Sequence, residues 1–174
     1  MLEETVASLE PGYFAIVMAT GILSTAALTL GLPWLSLPLL GIAAAAYLVL
    51  CALTAWRVIR FPARILGDAT SPGRAFTLLT FVAASSVLGT RLAASGQTAV
   101  AEVLAVVAAA GWLLLTYAIP ARLIAARPKE PLASAVNGTW LIWVVGTQSV
   151  AVALATLAPV HPGQMAGVAF ASVV

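Results

Sequence analysis

Of 174 residues, 62% are apolar and only 8% are charged, against about 45–50% and ~25% in soluble domains. Eight basic and six acidic side chains, net charge +2, cannot cover a water-soluble globule of this size. The balance excludes a soluble enzyme, a nucleic-acid-binding module and a disordered tail, and it describes a membrane protein. Because lipid offers no partner to backbone polar groups, apolar runs without strand alternation imply an all-α, polytopic helical fold.

In chain order, the N-terminus carries Glu3 and Glu4 where a cleavable signal has a basic region, so the first apolar run reads as a retained span. No charge falls between Glu10 and Arg57, which leaves room for two spans of about 20 residues. The first is expected over 12–30 and the second over 39–59, with a turn at Gly31-Leu32-Pro33-Trp34 and Pro38. A polar loop over 60–73, with Pro62, Asp68, Pro72 and Gly73, leads to a third span over 74–94. After the turn Ser95-Gly96-Gln97, a fourth span covers 98–126, with Glu102 near one end and Pro120 near the other. A second polar loop over 127–137 precedes a fifth span over 138–158. Pro159, His161, Pro162 and Gly163 then make a turn before a partial sixth helix over 164–174. At ~1.5 Å per residue, that last segment crosses about half of a ~30 Å hydrocarbon core. The chain thus reads as one transmembrane domain cut short.

Seven of the eight basic residues (Arg57, Arg60, Arg64, Arg74, Arg122, Arg127 and Lys129) fall on one side of this plan, and only Arg91 on the other. The positive-inside rule then places the N-terminus and both basic loops in the cytoplasm of a plasma-membrane protein. Short outer turns alternate with longer basic inner loops, a succession of hairpins.

No nucleophile elbow, zinc-protease motif, phosphate-binding loop or pair of carboxylates at helical spacing is present. Cys51 is the only cysteine, so an intrachain disulfide is excluded, and no cofactor or metal is implied. His161 reads as a turn residue and Glu102 as a snorkelling one. Arg91, at the outer end of the third span, reads either as an interfacial anchor or as a group attracting anions to a pore mouth. Asn137-Gly138-Thr139 matches a glycosylation sequon but falls on the cytoplasmic side.

The uncharged polar residues are uneven. Tyr13, Val17, Thr20 and Ser24 recur at helical spacing on span 1, with Gly21 beside them. Span 3 carries Thr77, Thr80, Ser85, Ser86, Gly89 and Thr90 spread around the helix. Span 5 offers Thr139, Trp143, Gly146 and Thr147, with Gln148 on another face. Spans 2 and 4 are plainer, rich in Ala, Leu and Val. Two explanations stand side by side: small and hydroxyl residues let helices pack closely, or spans 1, 3 and 5 line a polar path with 2 and 4 outside.

Pro11-Gly12-Tyr13-Phe14-Ala15-Ile16-Val17-Met18-Ala19-Thr20-Gly21-Ile22-Leu23 resembles the first helix of the tellurite-resistance/dicarboxylate transporter family. That family includes a bacterial tellurite-resistance membrane protein, yeast malate transporters and plant slow anion channels. Asn137-Gly138-Thr139-Trp140-Leu141, continuing through Val145-Gly146-Thr147-Gln148-Ser149-Val150-Ala151, resembles its fifth helix. The resemblance implies a ten-helix fold of five hairpins around a pore in each subunit, with odd helices inside and even helices outside, assembled as a trimer. This chain is similar to the N-terminal half. The family's gating phenylalanine lies on the ninth helix, so neither Phe81 nor Phe170 takes that role.

The implied function is passive transport of small anions: C4-dicarboxylates, inorganic anions or tellurite-type oxyanions. The alternative is a non-conducting membrane scaffold or assembly fragment. Lipid, small anions and further copies of the chain are the implied partners, and nucleic acid is not.

Overall fold

The computed structural model of the protein describes residues 2–125 and 137–158. Among these residues the structure is helical, without strands. Helices α1 (Leu2–Ala7), α2 (Phe14–Thr29), α3 (Pro33–Arg60), α4 (Pro62–Thr70), α5 (Thr80–Ala93), α6 (Thr98–Ala125) and α7 (Leu141–Leu157) follow in order. Single-turn 3₁₀ segments at Pro11–Tyr13, Ala75–Leu79 and Gly138–Trp140 lead into α2, α5 and α7. With those lead-in turns, α2, α3, α5, α6 and α7 are five helices long and apolar enough to cross a membrane. They are spans 1 to 5.

The turns that join spans 1 and 2 and spans 3 and 4 are built alike. In each, a glycine in the left-handed region, Gly31 at φ 73° and Gly96 at φ 81°, follows the helix end. The amide of Leu32 reaches back to the carbonyl of Ala27, and that of Gln97 to Leu92. Gly31 and Gly96 donate to Leu28 and Ala93. This is the Schellman arrangement, which satisfies helix-end carbonyls and reverses the chain, and only glycine adopts its φ without strain.

Two elements differ from the sequence expectation. Span 2 begins at Pro33, not Leu39, and contains Pro38. Proline suits the first helical position, and Pro38 removes only one hydrogen bond close to the start. The expected polar loop over 60–73 contains α4, whose first residue is Pro62 and whose Asp68 is buried. Asp68 Oδ2 lies 2.8 Å from Arg57 Nη1, and Arg74 Nη1 is 3.5 Å from Oδ1. Arg57 Nε also donates to the Ala7 carbonyl at 3.3 Å, so this buried pair ties α1, α3 and α4 together. The second polar loop and the partial sixth helix fall largely or wholly on residues outside those described.

Span 3 is the centre. Its best apolar window is 72% buried, against 11–28% for the other four spans. The α5 helix packs against α2, α6 and α7 and touches α3 at fewer points. One core cluster joins Phe76, Leu79 and Val82 to Ala108, Ile119, Leu123 and Val150, and another joins Phe14, Val17, Ala43 and Tyr47 to Ala84 and Leu88. Large apolar side chains such as Trp34, Leu48, Ile59, Leu114, Tyr117 and Leu141 are left exposed on the outside of the bundle.

Candidate pore wall

Most of the polar residues picked out in the sequence make hydrogen bonds or contacts within the helix bundle. On α2, Val17 and Ser24 are fully buried and Gly21 is buried too. Thr20 donates to the Ile16 carbonyl at 2.8 Å, while Tyr13 is exposed in the 3₁₀ turn. On span 3, Thr77 donates to the carbonyl of Arg74 and Thr80 to those of Pro11 and Thr77. Ser85 donates to Phe81 and shares a 2.8 Å hydrogen bond with the Tyr47 hydroxyl. A Cβ on Gly89 would meet the Ala101 carbonyl and Leu104 Cβ, both at 3.3 Å, so this glycine permits the α5–α6 approach.

Span 5 behaves similarly. Thr139 bonds Asn137 and the Gly73 carbonyl, and Trp143 stacks on Phe76 with centroids 5.4 Å apart. Gly146 faces Leu79, and Thr147 accepts a 2.9 Å hydrogen bond from Trp112 Nε1. Of the polar residues picked out in the sequence, Ser86, Thr90 and Gln148 lie on a concavity between helices.

That concavity is an open groove of about 600 Å³ whose lining, among the described residues, comes from α2, α5 and α7. The α2 side is Met18, Ile22, Thr25, Ala26 and Thr29; the α7 side is Val144, Val145, Gln148, Ser149 and Val152. Ser86, Val87 and Thr90 of α5 lie between them. Among the described residues no charged side chain is in this lining, and neither α3 nor α6 contributes to it. Thr25, Thr29 and Ser149 are groove residues that the sequence pattern does not single out. The available signal was a second helical stripe on span 1, 18-22-25-29, next to the one through Ser24.

The hydroxyls of the groove are not equivalent. Thr25, Thr29, Thr90 and Ser149 donate to carbonyls of their own helices, those of Gly21, Ala26, Ser86 and Gly146. Ser86 Oγ, by contrast, is buried without a hydrogen-bond partner among the described residues.

Arg91 does not stand at an open mouth. It is 1% exposed, donating from Nε to Ser24 Oγ at 2.9 Å, from Nη2 to Ser36 Oγ at 2.7 Å and from Nη1 to Ser95 Oγ. Ser24 and Ser36 in turn donate to each other's backbone carbonyls at 2.8 and 2.7 Å, closing the α2–α3 hairpin.

Among the described residues, four membrane-length helices around a central third span, with a groove bounded by odd-numbered ones, can be set beside known families. The sequence model of the voltage-dependent anion channel family, SLAC1, matches residues 8–174. The chain belongs to this family. It is the family that the span 1 and span 5 motifs resemble. No curated protein and no solved structure matches the chain. SLAC1 members move anions across membranes and are not enzymes, and this member is a multi-pass membrane protein.

Proposed function

We propose that the α2–α5–α7 groove is one wall of a passive path for small anions, with spans 1, 3 and 5 facing the path and spans 2 and 4 facing outward. The observation that carries this reading is that, among the described residues, the groove is bounded by odd-numbered spans and holds no fixed charge. An ion crossing such a wall meets hydroxyl and amide dipoles, which replace part of its hydration without trapping it. Ser86 brings to this wall a buried O–H that has no partner among the described residues, and the exposed Gln148 supplies an amide on the opposite side. Inorganic anions, C4-dicarboxylates and tellurite-type oxyanions are the substrate classes, and trimeric assembly in the plasma membrane with a cytoplasmic N-terminus completes the proposal.

The test is anion flux into liposomes for Ser86→Ala and Gln148→Leu at equal protein incorporation. Losing one donor worth about 1 kcal/mol changes relative permeability among anions several-fold. Wild-type flux and selectivity in both folded variants would overturn the groove assignment. A folded wild type without flux would favour the scaffold alternative.

A further inference from the structure

Among the described residues three charged side chains are buried: Arg57, Asp68 and Arg91. Arg57 and Asp68 neutralise each other at 2.8 Å. Among the described residues Arg91 has no carboxylate within ion-pair distance, and it is held by Ser24, Ser36 and Ser95. The geometry of this cage suits a cation. Ser24 and Ser36 direct their O–H groups to backbone carbonyls across the hairpin, which leaves oxygen lone pairs for the guanidinium. The C-terminal end of α5, whose last turn contains Arg91, adds partial negative charge.

These dipoles make burial of the guanidinium tolerable, but they do not cancel its charge. In a low-dielectric interior a charge acts over longer distances, and salt screens it less than at a surface. The groove lies one residue away on two helices, because Thr25 follows Ser24, Thr90 precedes Arg91, and both threonines line it. No carboxylate of the described residues lines that groove. Glu102, the acidic residue on the neighbouring α6, belongs to a helix that does not reach it.

We propose that Arg91 is the selectivity-determining charge of the path, biasing the Thr25–Thr90 end of the groove toward small inorganic anions and against cations without touching the ion. The inference rests on the groove reading. A cation in the wall itself would bind an anion tightly and slow its departure. One recessed behind hydroxyls favours entry and permits exit. The serine cage fixes the guanidinium behind the wall and keeps it from swinging into the path.

Reversal potentials in planar bilayers under a KCl gradient test this through the chloride-to-potassium permeability ratio of wild type, Arg91→Lys, Arg91→Gln and Ser36→Asp. Arg91→Lys keeps the charge and retains the wild-type preference. Arg91→Gln lowers the ratio on the order of tenfold, the effect of one unit charge roughly 10 Å from the ion at intermediate dielectric. Ser36→Asp keeps the guanidinium hydrogen-bonded while cancelling its charge, so it lowers the ratio similarly and decides the matter if Arg91→Gln fails to fold. An unchanged ratio in folded Arg91→Gln or Ser36→Asp overturns the role of Arg91. If Ser86→Ala and Gln148→Leu alter flux while these variants leave the ratio alone, only Arg91 is misassigned. If the groove variants are also silent, the groove reading itself fails.

Discussion

Gly21→Ala separates packing from pore lining on span 1. A Cβ at Gly21 would sit 2.8 Å from Val87 Cγ1 on α5, well inside the ~3.5–4.0 Å optimum for carbon pairs. Valine is stiff about χ1 in a helix, so relief must come from moving α2 against α5. Overpacking of this kind costs about 1–3 kcal/mol, and the gain in helix propensity returns at most ~1 kcal/mol. The net expectation is a loss of about 0–2 kcal/mol, seen as a lower thermal midpoint by circular dichroism in detergent. In a Val87→Ala background the clash is gone, and Gly21→Ala becomes neutral or stabilising by up to ~1 kcal/mol. The double-mutant cycle therefore gives a coupling of about 1–3 kcal/mol. Equal effects of Gly21→Ala in both backgrounds, within ~0.5 kcal/mol, would refute the close α2–α5 approach at this glycine.

Asp68→Asn strands Arg57 in its buried site and should cost about 3–5 kcal/mol in the same unfolding assay. Removing the exposed Arg60–Glu3 pair, at 3.7 Å, should change stability by at most ~1 kcal/mol. A similar small loss for both would show that burial of the Arg57–Asp68 pair contributes nothing. For orientation, a Cys51→Ala background with single cysteines at Gly96 or Ala69 should label from outside only at Gly96. External labelling at Ala69 would reverse the proposed topology.

The sequence by itself determined the solvent, the helical class and the family. Lipid forces each crossing segment to satisfy its own backbone, so apolar runs broken by Gly31 and Gly96 had to become helices joined by tight turns. The motifs of spans 1 and 5 identified the family because local sequence carries them. The turn chemistry at 31–34 was legible, but not the early start of α3, because Pro33 and Pro38 each signal either a break or a beginning. The α4 helix was hidden for a different reason. Its burial depends on Asp68 meeting Arg57, a pairing between separate segments.

Only the tertiary structure decided which way each span faces. In water an amphipathic helix announces its buried side, whereas in lipid both sides are apolar and that contrast disappears. Span 1 carries two stripes of similar polarity, one through Val17, Gly21 and Ser24 and one through Met18, Ile22, Thr25 and Thr29. The first turned inward because Gly21 admits Val87 and Ser24 meets Ser36, leaving the second on the groove. Span 3 is polar all round because neighbours surround it on most sides. Arg91 is enclosed because Ser24 and Ser36, 67 and 55 positions away, converge on it. Such convergence is a property of packed helices, and no local pattern encodes it.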